Sequence, residues 1–209
     1  VTAGPTQEAI DPVRYITNHS SGKMGYAIAK IASRRGAEVT LVSGPTAEEE
    51  PAFVNVVNVC SAKEMFEAVK ERAQEQDIII KAAAVADYRP KHIRGSKMKK
   101  TEDGSDLTLE LERTDDILAY LGAHKKQGQF LCGFAMETED LIANAKRKLE
   151  KKRLDMIAAN SLRVEGAGFG GNTNVVTVIT KEKEVSLGKM TKEETAAELL
   201  TMIAEARKV

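Results

Sequence analysis

Short apolar runs alternate with amphipathic stretches from the start of the chain. "VTAG" is typical of the end of a strand, and residues 22–36 place Ala27, Ile28 and Ile31 on one face of a predicted helix that ends at a glycine. The apolar "AEVTLVSG" follows as a second strand. This order predicts a βαβ unit, so the loop after the first strand should lie at the carboxyl end of a parallel sheet, where such sheets bind ligands.

The alternation continues to the end of the chain. Further predicted strands are "FVNVVNV", "DIIIKAAAVADY", the alternating "LTLELE", "QFLCGFAME", "DMIAAN" and a hairpin of "NVVTVIT" with "EVSLG". Further predicted helices begin at the Ser61/Glu64 capping box, at "DDILAYLG", at Leu141 (running to Lys152) and at the Thr191/Glu194 capping box, the last with Ala197, Leu200, Ile203 and Ala204 inward. We therefore expect one α/β domain over residues 1–209. It should be Rossmann-like and doubly wound, with a mainly parallel sheet and helices on both faces.

Three long polar segments interrupt this pattern, at residues 5–21, 88–106 and 160–173. We expect them to cluster at one edge of the sheet. The second is rich in lysine and arginine, and the pattern predicts a mobile loop.

Composition narrows the class of partner. The 209 residues include 31 Lys and Arg and 31 Asp and Glu, so no net charge favours nucleic acid or a membrane. No apolar run approaches the roughly 18 residues of a membrane helix. Cys60 and Cys132 form no metal or redox spacing, which favours a reduced, cytoplasmic setting. The first strand lacks its front, so we expect a domain excised from a longer chain.

Common nucleotide-binding motifs are absent. Gly22-Lys23 suggests a P-loop, but Thr17 and Met24 occupy two positions that the motif reserves for other residues. The G-x-G-x-x-G fingerprint of nicotinamide-dependent reductases is also missing after the first strand. Tyr26 and Lys30 match the Y-x-x-x-K of short-chain dehydrogenases by spacing alone. A nicotinamide-dependent reductase is therefore the disfavoured alternative.

The loop of residues 14–25 carries polar groups ahead of a helix. Arg14 can bind a carboxylate or phosphate with two hydrogen bonds, and Asn18 can both donate and accept. The following helix start offers free N–H groups to an anion. An anion site and an ordinary helix start with a solvated arginine remain equally good interpretations.

Other candidate groups have ordinary alternatives as well. The small residues of "AAAVADY" would let a planar base approach the strand end, although tight packing is the commoner reason for them. Lys97 is either a mobile cation for a reacting phosphate or a solvated lysine. Lys148 and Lys152 are helical neighbours that either reach one anion or end a solvated helix.

Four motifs in order resemble one family. "TAGPTQEAIDPVRYITNHSSGKMG", "AAAVADYRP", "SKMKK" and "GFAMET" are similar to the bacterial phosphopantothenoylcysteine synthetases, or phosphopantothenate–cysteine ligases. The resemblance covers essentially the whole chain. It is strongest to the synthetase half of bifunctional coenzyme A biosynthesis flavoproteins, in which an FMN-dependent decarboxylase precedes the synthetase. A non-catalytic dimerisation module of such a flavoprotein is a third hypothesis.

The resemblance implies a two-step ligation in a homodimer. The carboxylate of 4′-phosphopantothenate attacks CTP to give an acyl-cytidylate, and L-cysteine then displaces CMP. Magnesium accompanies the triphosphate, held mainly by its phosphates, with Asp87 as a candidate ligand.

The resemblance also implies roles for individual residues. Asn18 would contact the acyl-cytidylate, Arg14 would act in the same loop, and Lys97 would help to form the cytidylate. The implied nucleotide-binding residues are Lys81, Ala83, Asp87, Lys97, Asp115, Asp116, Ile117, Leu118, Phe134, Lys148 and Lys152. The family often has Asn-Pro-Asp-Ile where this chain has residues 114–117, and a relative has glycine at Lys81, so side-chain roles at these positions are not implied.

Overall fold

The computed structural model describes residues 1–99, 106–137, 140–161 and 170–207, with the side chains of residues 137 and 161 left aside. Its strands are β1 (Thr2–Ala3), β2 (Gln7–Ala9), β3 (Tyr15–Thr17), β4 (Val39–Ser43), β5 (Val54–Asn58), β6 (Ile78–Lys81), β7 (Tyr88–Pro90), β8 (Leu111–Arg113), β9 (Phe130–Glu137), β10 (Met156–Ser161), β11 (Thr173–Asn174), β12 (Val176–Thr180), β13 (Glu184–Ser186) and β14 (Met190–Thr191). Its helices are α1 (Lys23–Arg34), α2 (Ala62–Ala73), α3 (Ile117–Ala123), α4 (Leu141–Lys151) and α5 (Lys192–Ala206).

The central sheet has eight strands in the order β13-β12-β10-β9-β6-β1-β4-β5. The six strands from β5 to β10 in this order pair in parallel, whereas β12 and β13 are antiparallel additions at one edge. The chain winds outward from β1 to β5 and then returns to place β6 on the other side of β1. The doubly wound, mainly parallel sheet expected from the sequence is confirmed.

Helices cover both faces of this sheet. On one face, α2, α3 and α4 pack around sheet residues such as Ile79, Leu131 and Ile157. On the other face, α1 and α5 pack around Ile80 and Met156. Adjacent residues of one strand enter opposite clusters because side chains alternate across a sheet. This two-sided burial explains why the central strands are continuous apolar runs in the sequence.

Two predicted capping residues start their helices. The hydroxyl of Ser61 accepts from the N–H of Glu64, and Thr191 and Glu194 form a complete capping box. Of the predicted inward residues of α5, Ile203 is confirmed as buried, whereas Ala204 is exposed and the buried positions one turn earlier are Ala196 and Leu199. Leu200 instead lies at the flank of α5 that packs towards α1. A helix that contacts both a sheet and a neighbouring helix has a wide apolar stripe, so periodicity alone did not fix its centre.

The second polar segment is not entirely a loop. Its first residues, Tyr88–Pro90, pair antiparallel with Leu111–Arg113, so they form one strand of a small hairpin whose other strand lies beyond this segment. "LTLELE" is a strand only at its end, and residues 106–110 have no regular structure. Residues 100–105 and 162–169, parts of two predicted polar loops, lie outside the described residues. Within the described part of the chain, no helix has the length and apolarity needed to cross a bilayer.

Candidate active site

The strand order reverses between β1 and β6, and the candidate site lies where these strands end. The backbone N–H of Ala84 donates to the carbonyl of Gly4 at 2.9 Å, and that of Thr6 donates to the carbonyl of Ala84 at 3.2 Å. These bonds hold the two loops together just beyond the sheet. Two adjacent cavities open here, as expected for a doubly wound sheet.

The larger cavity, of about 610 Å³, contains most of the predicted nucleotide-binding residues. Of these, the residues that line it are Lys81, Ala83, Asp87, Asp115, Asp116, Ile117, Leu118, Phe134, Lys148 and Lys152. They come from β6, from the start of α3, from β9 and from α4. The sequence separates them widely, and the fold brings them to one cavity.

The larger cavity is lined by three lysines and one arginine together with three aspartates. Burial, followed by the nearby charge of Lys148, lowers the pKa of Lys81 to about 8. Burial also lowers the pKa of Lys152, which pairs with Asp116. Lys148 donates to the carbonyl of Phe134 at 3.2 Å. Partly desolvated cations at one cavity wall are suited to a polyanionic ligand, whose charge would favour their protonated forms.

The start of α3 is built from groups that also line the cavity. The carboxylate of Asp116 accepts from the N–H of Ala119 at 2.9 Å and so caps the helix. The hydroxyl of Thr114 donates to the carbonyl of Ala86 at 2.6 Å, and its N–H donates to the carbonyl of Asp87 at 3.0 Å. These bonds tie the segment before α3 to the segment after β6, so that Asp87 and Asp115 line the same space.

The small residues after β6 have mainly a packing role. The N–H of Ala83 donates to the hydroxyl of Thr2 at 3.1 Å, and that of Ala84 is bonded to Gly4. These two donors are therefore engaged within the fold and are not available to a bound base. The methyl groups of Ala83 and Ala84 still form part of the cavity wall, because these positions carry no larger side chain.

The smaller cavity, of about 380 Å³, is bounded by the loop that precedes α1. The residues that line it are 18–25, Ala82–Ala84, Phe134–Met136, Asn160, Asn174 and Lys192. Asn18 donates from its side-chain amide to the carbonyl of Ala84 at 3.2 Å. Ala83, Ala84, Phe134 and Met136 belong to both cavities, so the two spaces share a wall. Asn18 stands beside that wall.

Helix α1 begins at the smaller cavity and is packed closely on β1. Its N-cap residue Gly22 has φ of 80°, and no side chain in the described part of the chain caps this helix. A Cβ at Gly25 would lie 2.5 Å from the Cβ of Ala3, so glycine permits this close approach. The uncapped first turn presents its N–H groups at an end that favours negative charge.

Two lysines stand at the same end of the smaller cavity. Lys23 donates to the side-chain oxygen of Asn172 at 2.8 Å, and Lys192 donates to the carbonyl of Gly171 at 2.6 Å. Burial, followed by the nearby charge of Lys23, lowers the pKa of Lys192. This end of the cavity is therefore electropositive.

Arg14 and Lys97 line neither of the two cavities. The guanidinium of Arg14 is engaged by Asp11, with Arg14 Nε 3.0 Å from Asp11 Oδ2, and by the carbonyl of Met98 at 2.9 Å. Lys97 is exposed, one residue before Met98. The sequence did not reveal that Arg14 has a buried acidic partner three residues away.

The Tyr26/Lys30 pair does not form a reductase site. Tyr26 is buried, and its hydroxyl lies 3.0 Å from the hydroxyl of Ser43. Lys30 donates to Glu193 at 2.5 Å on the outer side of α1. Since each side chain has its own structural partner, the spacing of these residues is coincidental.

Several cavity residues were not identified from the sequence. Asn160 lies at the end of β10, so the rule that ligands bind beyond strand ends could have indicated it. No sequence pattern indicated four other cavity residues, because their positions depend on how distant segments pack. These are Arg113, Met136, Asn174 and Lys192.

The described residues contain no group of three or more His, Cys, Asp or Glu side chains arranged to hold a metal ion. The larger cavity nevertheless carries the carboxylates of Asp87, Asp115 and Asp116. Mg²⁺ prefers oxygen ligands, keeps several waters and usually binds one or two carboxylates together with substrate phosphates. The donor set therefore fits a magnesium ion that arrives with a nucleotide.

Comparison with known proteins identifies the family. Residues 1–206 match the DNA/pantothenate metabolism flavoprotein C-terminal domain. The chain belongs to this family. It is 50% identical over 203 residues to the coenzyme A biosynthesis bifunctional protein CoaBC of Vibrio vulnificus strain YJ016, with 97% of this chain and 51% of the relative covered. It is 49% identical over 210 residues to CoaBC of Bacillus subtilis strain 168, with 100% and 51% covered.

The fold agrees with this family. The crystal structure of the C-terminal domain of a CoaBC protein matches with a TM-score of 0.82 at 47% identity, covering 97% of this chain and 91% of that one. The resemblance identified from the motifs is thus confirmed. The chain spans about half the length of the two CoaBC relatives, which are bifunctional.

Proposed function

We propose that this domain is a CTP-dependent phosphopantothenate–cysteine ligase of coenzyme A biosynthesis. The observation that carries the proposal is the pair of cavities with a shared wall, one lined by lysines and the other electropositive at its far end. A reaction between a nucleotide and a second anionic substrate needs two such spaces that meet at the reacting atoms.

In this proposal the larger cavity holds CTP. Its volume of about 610 Å³ lies within the usual range of 300–1,000 Å³ for small-molecule sites. Lys81, Lys148 and Lys152 would balance the charge of the triphosphate. The phosphates would in turn stabilise the charged form of Lys81, whose pKa burial has lowered.

The smaller cavity would hold 4′-phosphopantothenate. This substrate has a phosphate at one end and a carboxylate at the other. The phosphate suits the uncapped start of α1 beside Lys23 and Lys192. The carboxylate would then lie near Asn18 and the shared wall, within reach of the α-phosphate of CTP.

The chemistry would proceed in two steps. The carboxylate oxygen attacks the α-phosphorus, and pyrophosphate leaves with the electron pair of the broken P–O bond. The amine of L-cysteine then attacks the acyl carbon, CMP leaves, and the amine loses a proton. Asn18 has two amide hydrogens, one of which can donate to the oxyanion that forms on the acyl group while the other keeps its bond to Ala84.

Magnesium would be held by the triphosphate and by Asp87, with Asp115 or Asp116 as a further candidate in the same cavity. When bound, the ion neutralises negative charge on the phosphates during the first step. Asp116 also caps α3 and pairs with Lys152, so Asp87 is the better candidate ligand.

We also propose that the domain works as a homodimer. Each of the two small hairpins carries two large apolar side chains that are about half exposed. These are Val13 and Tyr15 in the β2–β3 hairpin, and Tyr88 and Leu111 in the β7–β8 hairpin. These two hairpins contact each other through β2 and β7. A second copy is the partner that the resemblance implies.

An FMN-dependent decarboxylase domain would precede this one in the parent chain, and the reaction would take place in the cytoplasm.

The two rival hypotheses receive less support. A nicotinamide-dependent reductase lacks the glycine fingerprint, and Tyr26 and Lys30 are engaged elsewhere. A non-catalytic dimerisation module would not need desolvated lysines in a cavity beside an asparagine.

The test is pyrophosphate release from the isolated domain with CTP, magnesium and 4′-phosphopantothenate. We expect release that depends on both substrates, a single turnover without L-cysteine and continued turnover with it. CTP should support this reaction far better than ATP. Turnover with ATP at the same rate would refute the CTP dependence, and saturable binding of NADPH without pyrophosphate release would favour a reductase.

A further inference from the structure

Residues 91–99 follow β7 and cross the tip of the β2–β3 hairpin, where they are attached twice. The N–H of Arg94 donates to the carbonyl of Ile10 at 3.0 Å. The N–H of Met98 donates to the carboxylate of Asp11 at 3.1 Å, and Arg14 donates to the carbonyl of Met98 at 2.9 Å. Residues 95–97 therefore form a short arch between two attachments, and Lys97 is the last residue of this arch.

Asp11 is the centre of the second attachment. The residue is only 3% exposed, yet its carboxylate accepts from the N–H groups of Val13 at 2.8 Å and Arg14 at 2.9 Å. It also forms a two-bond ion pair with the guanidinium of Arg14, in addition to its bond from Met98. The hydrogen bond from Arg14 is the main cause of a pKa of Asp11 far below its usual range, so this carboxylate stays charged. We call this arrangement the Asp11–Arg14–Met98 clasp.

The hairpin that carries the clasp also carries Asn18. Strand β3 begins at Tyr15, directly after Arg14, and ends at Thr17, directly before Asn18. Arg14 and Asn18 are four residues apart in extended chain, which separates them by ~13 Å. The antiparallel ladder with β2 and the bond from Asn18 to Ala84 keep this distance constant. The clasp thus connects the arch of Lys97 to the frame that positions Asn18.

We propose that Asp11 is a positioning residue that, together with Arg14, holds the Met98 peptide and thereby sets the place of Lys97 relative to Asn18. The inference rests on the proposed function and on the role that the resemblance implies for Lys97, which would help to form the cytidylate. It would give Arg14, which lines neither cavity, a part in the reaction. The bonds to Met98 hold the backbone of Lys97, and the long side chain of Lys97 would extend from there to the phosphates.

Native digestion with trypsin tests the holding role without reference to activity. Arg94 and Lys97 are exposed cleavage sites in the held segment. Asp11→Asn removes the charge while keeping the size of the side chain, and Glu71→Gln is a matched control because it removes an acid–arginine contact of 2.6 Å on α2. We expect cleavage after Arg94 and Lys97 to be about tenfold faster in Asp11→Asn, since charge-assisted hydrogen bonds are lost and cleavage follows the opened population. The control should digest like the parent domain.

A double-mutant cycle tests whether Asp11 acts through Lys97. Pyrophosphate release is measured for Asp11→Asn, Lys97→Gln and the double variant. We expect Asp11→Asn to lower kcat about tenfold with little change in the KM for CTP. In the Lys97→Gln background the same change should have almost no further effect, because residues that act as a unit are not additive. Arg14→Lys, which keeps the charge but loses the two-bond geometry, should behave like Asp11→Asn.

The outcomes separate this inference from the proposed function. Unchanged trypsin cleavage in Asp11→Asn, or equal acceleration in the Glu71→Gln control, overturns the clasp. Faster cleavage with unchanged kcat, or an additive loss in the double variant, overturns the positioning of Lys97. If the parent domain releases no pyrophosphate from CTP, the proposed function and the positioning of Lys97 both fail, and the digestion still decides whether Asp11 holds residues 94–98.

Discussion

Lys81 offers a direct test of how the larger cavity binds its ligand. Its side chain lies at the end of β6 among the other lysines, and burial lowers its pKa from 10.5 to about 8. A drop of this size means that the folded, empty site opposes the charged form by ~3 kcal/mol. A bound polyphosphate supplies the opposite charge and should return the pKa towards its ordinary value.

The magnitude follows from proton linkage. At pH 7.5 most Lys81 side chains are already charged in the empty site, whereas at pH 9 only about a tenth are. If the ligand restores an ordinary pKa, the Kd for CTP should rise about tenfold between these two pH values. The direction of the pKa shift fixes the sign of the effect. Lys81 must be protonated to attract the triphosphate, so affinity for CTP is lost as pH rises through about 8.

Isothermal titration of magnesium–CTP into the domain at both pH values measures this change. Lys81→Met keeps the length of the side chain without the charge, so its Kd should be weaker at pH 7.5 and almost equal at the two pH values. Lys63→Met, an exposed lysine on α2, is the control and should keep the tenfold dependence. A flat profile in the parent domain, or an unchanged slope in Lys81→Met, would refute the linkage between Lys81 and the nucleotide.

Three further predictions concern the half-reactions and the fold. Lys97→Gln should slow pyrophosphate release about 10²–10³-fold even without cysteine, whereas Asn18→Asp should form the acyl-cytidylate and then stall. Mass spectrometry of quenched single turnovers should therefore detect the intermediate accumulating only in the second variant, and normal turnover in either would contradict the division of roles. Gly25→Ala should destabilise the domain by about 1–3 kcal/mol in urea unfolding, because the new Cβ would meet that of Ala3 at 2.5 Å; an unchanged midpoint would show that α1 can shift. Thr191→Ala should lower stability by about 1 kcal/mol through loss of the α5 cap, and Thr191→Ser, which keeps the hydroxyl, should restore most of it in the same assay.

The family and the class of fold could be read from local patterns. The near-continuous apolar run of β6 is typical of a strand buried on both faces, and the capping residues Ser61 and Thr191 marked where helices start. These features depend on residues that are close in the sequence, so periodicity and capping chemistry are sufficient to detect them. The strand–helix–strand order then indicated which end of the sheet carries the site.

Other features depended on contacts between distant segments. The strand Tyr88–Pro90 was predicted as loop because its pairing partner lies more than twenty residues away, beyond a polar stretch. Lys97 was assigned to the nucleotide site by resemblance, but its side chain lines neither cavity in the structure. Pairing and cavity walls are decided by packing, which no short window of sequence contains.

The sequence by itself determined the doubly wound, mainly parallel sheet and the strand ends at which the candidate site lies. Only the tertiary structure decided that Arg14 is occupied by Asp11 and Met98 instead of facing a ligand. It also decided that two cavities share the wall of Ala83, Ala84, Phe134 and Met136. A charged side chain is strongly attracted to any opposite charge that the fold buries beside it, so its role is fixed by its neighbours in space and not by its residue type.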